Sequence, residues 1–170
     1  MDMIYKLVNY LKAVTVEGES GQLELEHQSP YYVNNDVCLE VKEISHNEIQ
    51  VQVIQTNQPL HKVVLEFMNP IENLKAQLNE TGDSTPFSEE SKMNQCYICS
   101  DWGVYALGVE KNYGDEASFT VTSNYIKVEV PVQHSNKQCY RILFEKYLTI
   151  HPTQEIISRF NHQLGYSVAN

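Results

Sequence analysis

Runs in which apolar and polar residues alternate recur along most of this 170-residue chain. Period two puts successive side chains on opposite faces of a strand, so such runs build sheets with one buried and one wet face, typically antiparallel. Leu23 and Leu25 alternate with Gln22, Glu24 and Glu26. Val37, Leu39 and Val41 alternate with Cys38, Glu40 and Lys42, and Ile49, Val51 and Val53 with Gln50 and Gln52. Ser45-His46-Asn47 joins the last two runs as a hairpin turn. Residues 62–67 form a more continuously apolar fourth strand. The pattern resumes in Tyr105, Leu107 and Val109, in Phe119 and Val121, and in Ile126, Val128, Val130 and Val132, with residues 112–115 as a turn. A one-residue slip would turn every apolar side chain to water. The Leu, Val and Ile of residues 23–53 named above are therefore expected to be buried, with Glu24, Glu40, Gln50 and Gln52 more exposed.

Helices are expected around these strands. Ile4, Leu7, Val8 and Leu11 follow helical spacing. Asn69-Pro70 reads as an N-cap followed by proline at the first helical position, with Ile71, Leu74 and Leu78 as the apolar stripe. Ser88 reads as the cap of a short helix carrying Met93, Cys96 and Tyr97. His151-Pro152 opens a last helix with Ile157, Phe160 and Leu164, closed by Gly165. Residues 140–147 fit strand and helix alike. The sum is an α+β domain over residues 1–170, an antiparallel sheet with helices packed on one face. Residues 37–55 match 117–133 in pattern and Pro70 matches Pro152, which suggests two pseudo-repeats, 1–80 and 86–166, of a helix–four-strand–helix unit. A polar connector at 79–92 would join halves too small to stand comfortably alone, so a shared core is expected.

Charge narrows the function classes. The net charge is −10, and residues 1–80 hold five Lys against twelve Asp and Glu. Only two arginines, Arg141 and Arg159, are present. Phosphate contacts need Lys and Arg to displace counterions, so direct binding to nucleic acid or to an acidic membrane is disfavoured. The N-terminal residues lack the basic start of an export signal and no stretch is long and apolar enough for a bilayer span, which leads to an expectation of a cytoplasmic protein. Its four cysteines are then expected as thiols.

Few motifs carry chemistry. Cys96-Tyr97-Ile98-Cys99 is half of a zinc or redox site, but the spacing from His134 to Cys139 does not complete a standard knuckle, so no metal and no cofactor is expected. Residues 100–107, SDWGVYAL, resemble the nucleophile segment of ubiquitin-like-protein proteases and related bacterial effector acyltransferases, whose pattern runs S/D-C-G-[VI]-[FY]. Trp102 stands where that pattern has its cysteine. The resemblance implies an upstream histidine, acid and glutamine, for which His61, Glu66 and Gln95 are the candidates, with Cys99 as a displaced nucleophile. The alternative is that Trp102 is a core or hairpin aromatic at the opening of a strand.

The favoured expectation is a non-enzymatic, acidic protein-binding module, such as an immunity protein or inhibitor engaging a basic partner. Glu24, Glu26, Glu40 and Glu43 on predicted strands, with the loop pair Tyr31-Tyr32, are the candidate contacts. A secretion-type chaperone, resembling type III secretion chaperones in layout, is one alternative. A cysteine-dependent hydrolase or acyltransferase around Cys99 is the other. Oligomeric state is not legible.

Overall fold

A computed structural model describes residues 6–110, 116–132 and 139–165. In chain order the first elements are α1 (Leu7–Tyr10), β1 (Leu11–Gly18), β2 (Gly21–Glu24), β3 (Glu26–Gln28), β4 (Tyr31–Val33), β5 (Val37–Ser45), β6 (Glu48–Thr56), β7 (Leu60–Met68) and β8 (Leu74–Leu78). There follow β9 (Ser84–Thr85), β10 (Ser91–Met93), β11 (Gln95–Ser100), β12 (Gly103–Val109), β13 (Ala117–Val121), β14 (Tyr125–Pro131), β15 (Cys139–Tyr147) and α2 (Gln154–Gln163). Strands hold 60% of the described residues and helices 9%. The expected α+β fold is therefore wrong: this is a mostly β molecule of two antiparallel sheets and two short helices.

The smaller sheet runs β10-β13-β14-β7-β1-β2 and the larger β3-β4-β5-β6-β15-β12-β11-β8-β9. Their apolar faces share one core, with Val16, Val63, Leu65, Phe67 and Val128 from the first and Leu39, Ile49, Val51, Leu107 and Ile142 from the second. Alternation enforces this arrangement, because each strand can place only every other side chain inside. Val37, Leu39, Val41, Ile49, Val51 and Val53 are buried as expected. Leu23 and Leu25 are half-buried against the same core. Glu24 is exposed, and Glu40, Gln50 and Gln52 are half-buried.

The connectivity interlocks the two sheets. β1 pairs with β7 in the smaller sheet, while the β5–β6 hairpin between them belongs to the larger. β12 pairs with β15 in the larger sheet, while the β13–β14 hairpin between them belongs to the smaller. β6 then pairs with β15, and β14 with β7. The expected helix–four-strand–helix unit is absent. The similar hairpins lie in different sheets, and Pro70 leads into strand β8 where Pro152 leads into helix α2. Residues 79–92, read as a connector, hold β9 and the start of β10.

Three expected helices fail for identifiable reasons. The N-terminal one shrinks to α1, after which Leu11 already begins a strand; Ile4 lies outside the described residues. At Asn69 the capping chemistry is present but closes a turn: its Oδ1 accepts from the Ile71 N–H at 2.8 Å and its Nδ2 donates to the Thr122 carbonyl at 2.7 Å. Leu74 and Leu78, four apart, suit one face of a strand as well as one face of a helix. Ser88 adopts a left-handed φ of 66° and precedes strands. Residues 139–147 resolve as β15, and the turn expected at 112–115 lies outside the described residues.

The C-terminal helix forms as expected, with the Thr153 hydroxyl oxygen accepting from the Ile156 N–H at 3.2 Å and Gly165 at φ 82°. It lies over the outer face of the larger sheet, where Ile157, Phe160 and Leu164 form a second core with Tyr97, Cys99, Val104, Ala106 and Leu143. β11 and β12 are consequently buried on both faces. Gly108 is what permits the contact, since a Cβ there would run into Leu164 and come within 2.9 Å of Phe160. Gly108→Val should therefore lift the helix off the strand and lower stability by about 1–3 kcal/mol, the usual cost of overpacking. Urea denaturation measures this; an unchanged midpoint would mean that α2 does not depend on this close approach.

Candidate functional site

The six residues expected to contact a partner are placed unevenly. Glu24 lies on β2, an edge of the smaller sheet, opposite Thr15. Glu26 lies on β3, an edge of the larger sheet, opposite Val33. Residues 21–28 thus run from one sheet's edge to the other's, exposed except for the half-buried Leu23 and Leu25. Glu40 sits on β5 opposite Tyr31, so the two share a face of the larger sheet. Glu43, farther along β5, pairs with Lys6 at 3.1 Å. Among the described residues, Glu24, Glu26 and Glu40 have no basic side chain within ion-pair distance. The four carboxylates therefore follow the β2–β5 side of the molecule and do not form a single sheet face.

Tyr31 and Tyr32 lie in β4, not in a loop, and adjacent strand residues point opposite ways. Tyr31 is 40% exposed while Tyr32 is 5% exposed, opposite Leu39 in the core. Tyr32 also stacks on His27, with ring centroids 4.4 Å apart and planes within 6°. Burial pushes its hydroxyl above the ordinary tyrosine range. Beside the stack opens a concavity of about 420 Å³. Its walls include Val8 and Leu11 from the α1–β1 junction, Pro30, and Glu40 to Glu43 along β5. His27, Lys42 and the α1–β1 residues carried no signal in the sequence; only the fold brings them to Glu40, Glu43 and Tyr32.

The residues of the cysteine-enzyme reading do not converge. His61 and Glu66 belong to β7 in the smaller sheet, Gln95 and Cys99 to β11 in the larger. Cys96 and Cys99, three apart on one strand, face opposite sides, Cys96 into the main core and Cys99 toward α2. All four cysteines are free. Burial raises the thiol pKa of Cys96 strongly and that of Cys99 as well, which favours the unreactive protonated form. No group of three His, Cys, Asp or Glu side chains fit to hold a metal occurs among the described residues. Trp102 sits in the β11–β12 turn, 52% exposed. The glycine after it has a backbone reason: at φ 140°, a Cβ on Gly103 would lie 2.6 Å from the Tyr147 carbonyl oxygen.

Elsewhere on the outer face of the larger sheet, Arg141 contacts Glu48 at 3.0 Å and Glu110 at 3.2 Å, and donates to the Gln163 carbonyl at the end of α2. One of the two arginines thus ties the helix to the sheet. No described helix is long and apolar enough to cross a membrane. No protein-family profile matches the chain, and no curated protein matches it.

Native-state alkylation separates the cysteines. Burial raises the pKa of all four thiols, so the order follows access: at neutral pH iodoacetamide should label the half-buried Cys38 and Cys139 before the buried Cys99, and reach Cys96 only in denaturant. Peptide mass spectrometry reads the order. Rapid, selective labelling of Cys99 near pH 7 would instead identify an activated nucleophile.

Proposed function

We propose that this chain is a non-enzymatic protein-binding module that engages a basic partner, in the manner of an immunity protein or inhibitor. The observation that carries the reading is the run of carboxylates along the β2–β5 side, Glu24, Glu26 and Glu40, that have no ion-pair partner among the described residues, beside the exposed ring of Tyr31. Unpaired surface charge of one sign steers an oppositely charged protein toward it, and a half-exposed tyrosine offers contact area at small entropic cost. The net charge of −10 acts in the same direction over longer range. Support also comes from the placement of Cys99, whose protonated thiol beneath α2 suits packing better than attack on a carbonyl. A partner of this kind is basic protein, not nucleic acid.

The proteins encoded on either side of this chain are the first partners to assay, since immunity proteins and chaperones are commonly encoded beside their clients. Association with a true partner should slow steeply with added salt, because attraction between exposed charges is screened beyond about 8–10 Å at physiological ionic strength. Reversing Glu24, Glu26, Glu40 and Glu43 together should slow association about tenfold or more at low salt, while Cys99→Ala leaves it unchanged. Stopped-flow association rates test both. Rates indifferent to salt and to all four reversals would overturn the reading, and loss of an enzymatic activity in Cys99→Ala would replace it.

A further inference from the structure

We propose that the edge of β5 beside the concavity is a strand-addition site for an extended, basic segment of a partner protein. The proposal rests on the reading of the chain as a binder of basic protein and specifies how that partner is held. β5 has nine residues and its neighbour β4 only three. β4 pairs with residues 38–40 of β5, and the contact ends where the Val41 N–H donates to the Pro30 carbonyl at 2.9 Å. There Ser29-Pro30 turns the chain back into β3. Beyond that point no described strand pairs with this side of β5, although β6 continues to pair with the other side as far as Ser45.

The backbone direction follows from the register. β5 and β6 pair without interruption from Leu39 to Glu43. In a regular antiparallel strand, N–H and C=O groups two residues apart point the same way. The N–H of Val41 points toward β4, so the N–H and C=O of Glu43 point toward the concavity. A peptide prolonging the line of β4 would meet a hydrogen-bonding edge, as in other cases of strand addition. Pro30, Val8 and Leu11 would flank it with apolar surface. The same lining carries Glu40 and Glu43 with Lys42 between them. Glu40 and Glu43, three apart, face opposite sides of β5, and Glu40 already lies opposite Tyr31, so the complementary segment carries two cationic side chains three residues apart, one reaching each carboxylate diagonally. Lys6 already meets one oxygen of Glu43, which leaves Glu40 the stronger anchor.

The probe is a capped peptide, acetyl-Val-Lys-Val-Thr-Arg-amide, titrated into the ¹⁵N-labelled full chain. Saturable shifts are expected at the amides of residues 41–45 and His27. An analogue N-methylated on its central amides keeps the charge but loses the donors, and should bind about tenfold or more weakly. Because that change is in the ligand, protein stability cannot produce it. Glu40→Gln with Glu43→Gln should weaken the unmodified peptide about tenfold, whereas Glu89→Gln with Glu90→Gln should not. Absence of saturable shifts at residues 41–45, or equal binding of both peptides, overturns strand addition. If the full partner still associates in a salt-dependent way in that case, the basic-partner reading survives; if it does not, both fall.

Discussion

β7 and β15 hold the structure together. Each is a nine-residue inner strand, and each pairs with one neighbour from its own half of the chain and one from the other. β7 joins β1 to the β13–β14 hairpin, and β15 joins β12 to the β5–β6 hairpin. Neither sheet can be completed by one half alone, so neither half can bury its apolar faces without the other. The most non-local pairings of the chain are thus also its most central, a topology expected to fold slowly for its length. The long Val, Leu, Ile and Phe content of residues 63–67 and 142–144 reflects this position.

The strands were legible because burial on one side imposes period two, and β5, β6 and β14 follow it closely. The failures occur where that rule is relaxed. β11 is buried on both faces, so Gln-Cys-Tyr-Ile-Cys-Ser shows no alternation and was read as part of a helix. Its double burial depends on α2, sixty residues later, which no local pattern can announce. At Asn69 the side chain that would cap a helix closes a turn instead, and only the tertiary neighbours decide between the two. α2 was legible because Pro152, the Ile157/Phe160/Leu164 stripe and Gly165 all agree; its N-cap, Thr153, emerges only in the structure.

The candidate site was less legible than the fold. Glu24, Glu26 and Glu40 are on wet positions because alternation put them there, which sequence can predict. Tyr31 and Tyr32 read as an exposed pair only in a loop, where the constraint that adjacent strand residues face opposite ways does not apply. Once they are in β4, only one of the two tyrosines can be exposed. The concavity depends on a difference in length between two neighbouring strands, nine residues against three. Strand length is set by where turns fall, and Ser29-Pro30 marks that turn in the sequence without indicating what lies across from it.

Free strand edges ordinarily invite unwanted pairing, and this molecule treats its edges differently. The outermost stretch, residues 21–28, is exposed in its β2 and β3 segments apart from the half-buried Leu23, and carries Glu24 and Glu26, charges that discourage another chain from adding there. The inner edge of β5 is not outermost. It lies behind the Ser29-Pro30 turn and beside the α1–β1 junction, along the wall of the concavity. Under the strand-addition proposal, the flanking turn and helix junction would provide there the protection that charge provides at β2 and β3. This leaves Glu40 and Glu43 free of a purely protective role. Their charge can then discriminate between segments that reach this edge, favouring basic chains over acidic ones.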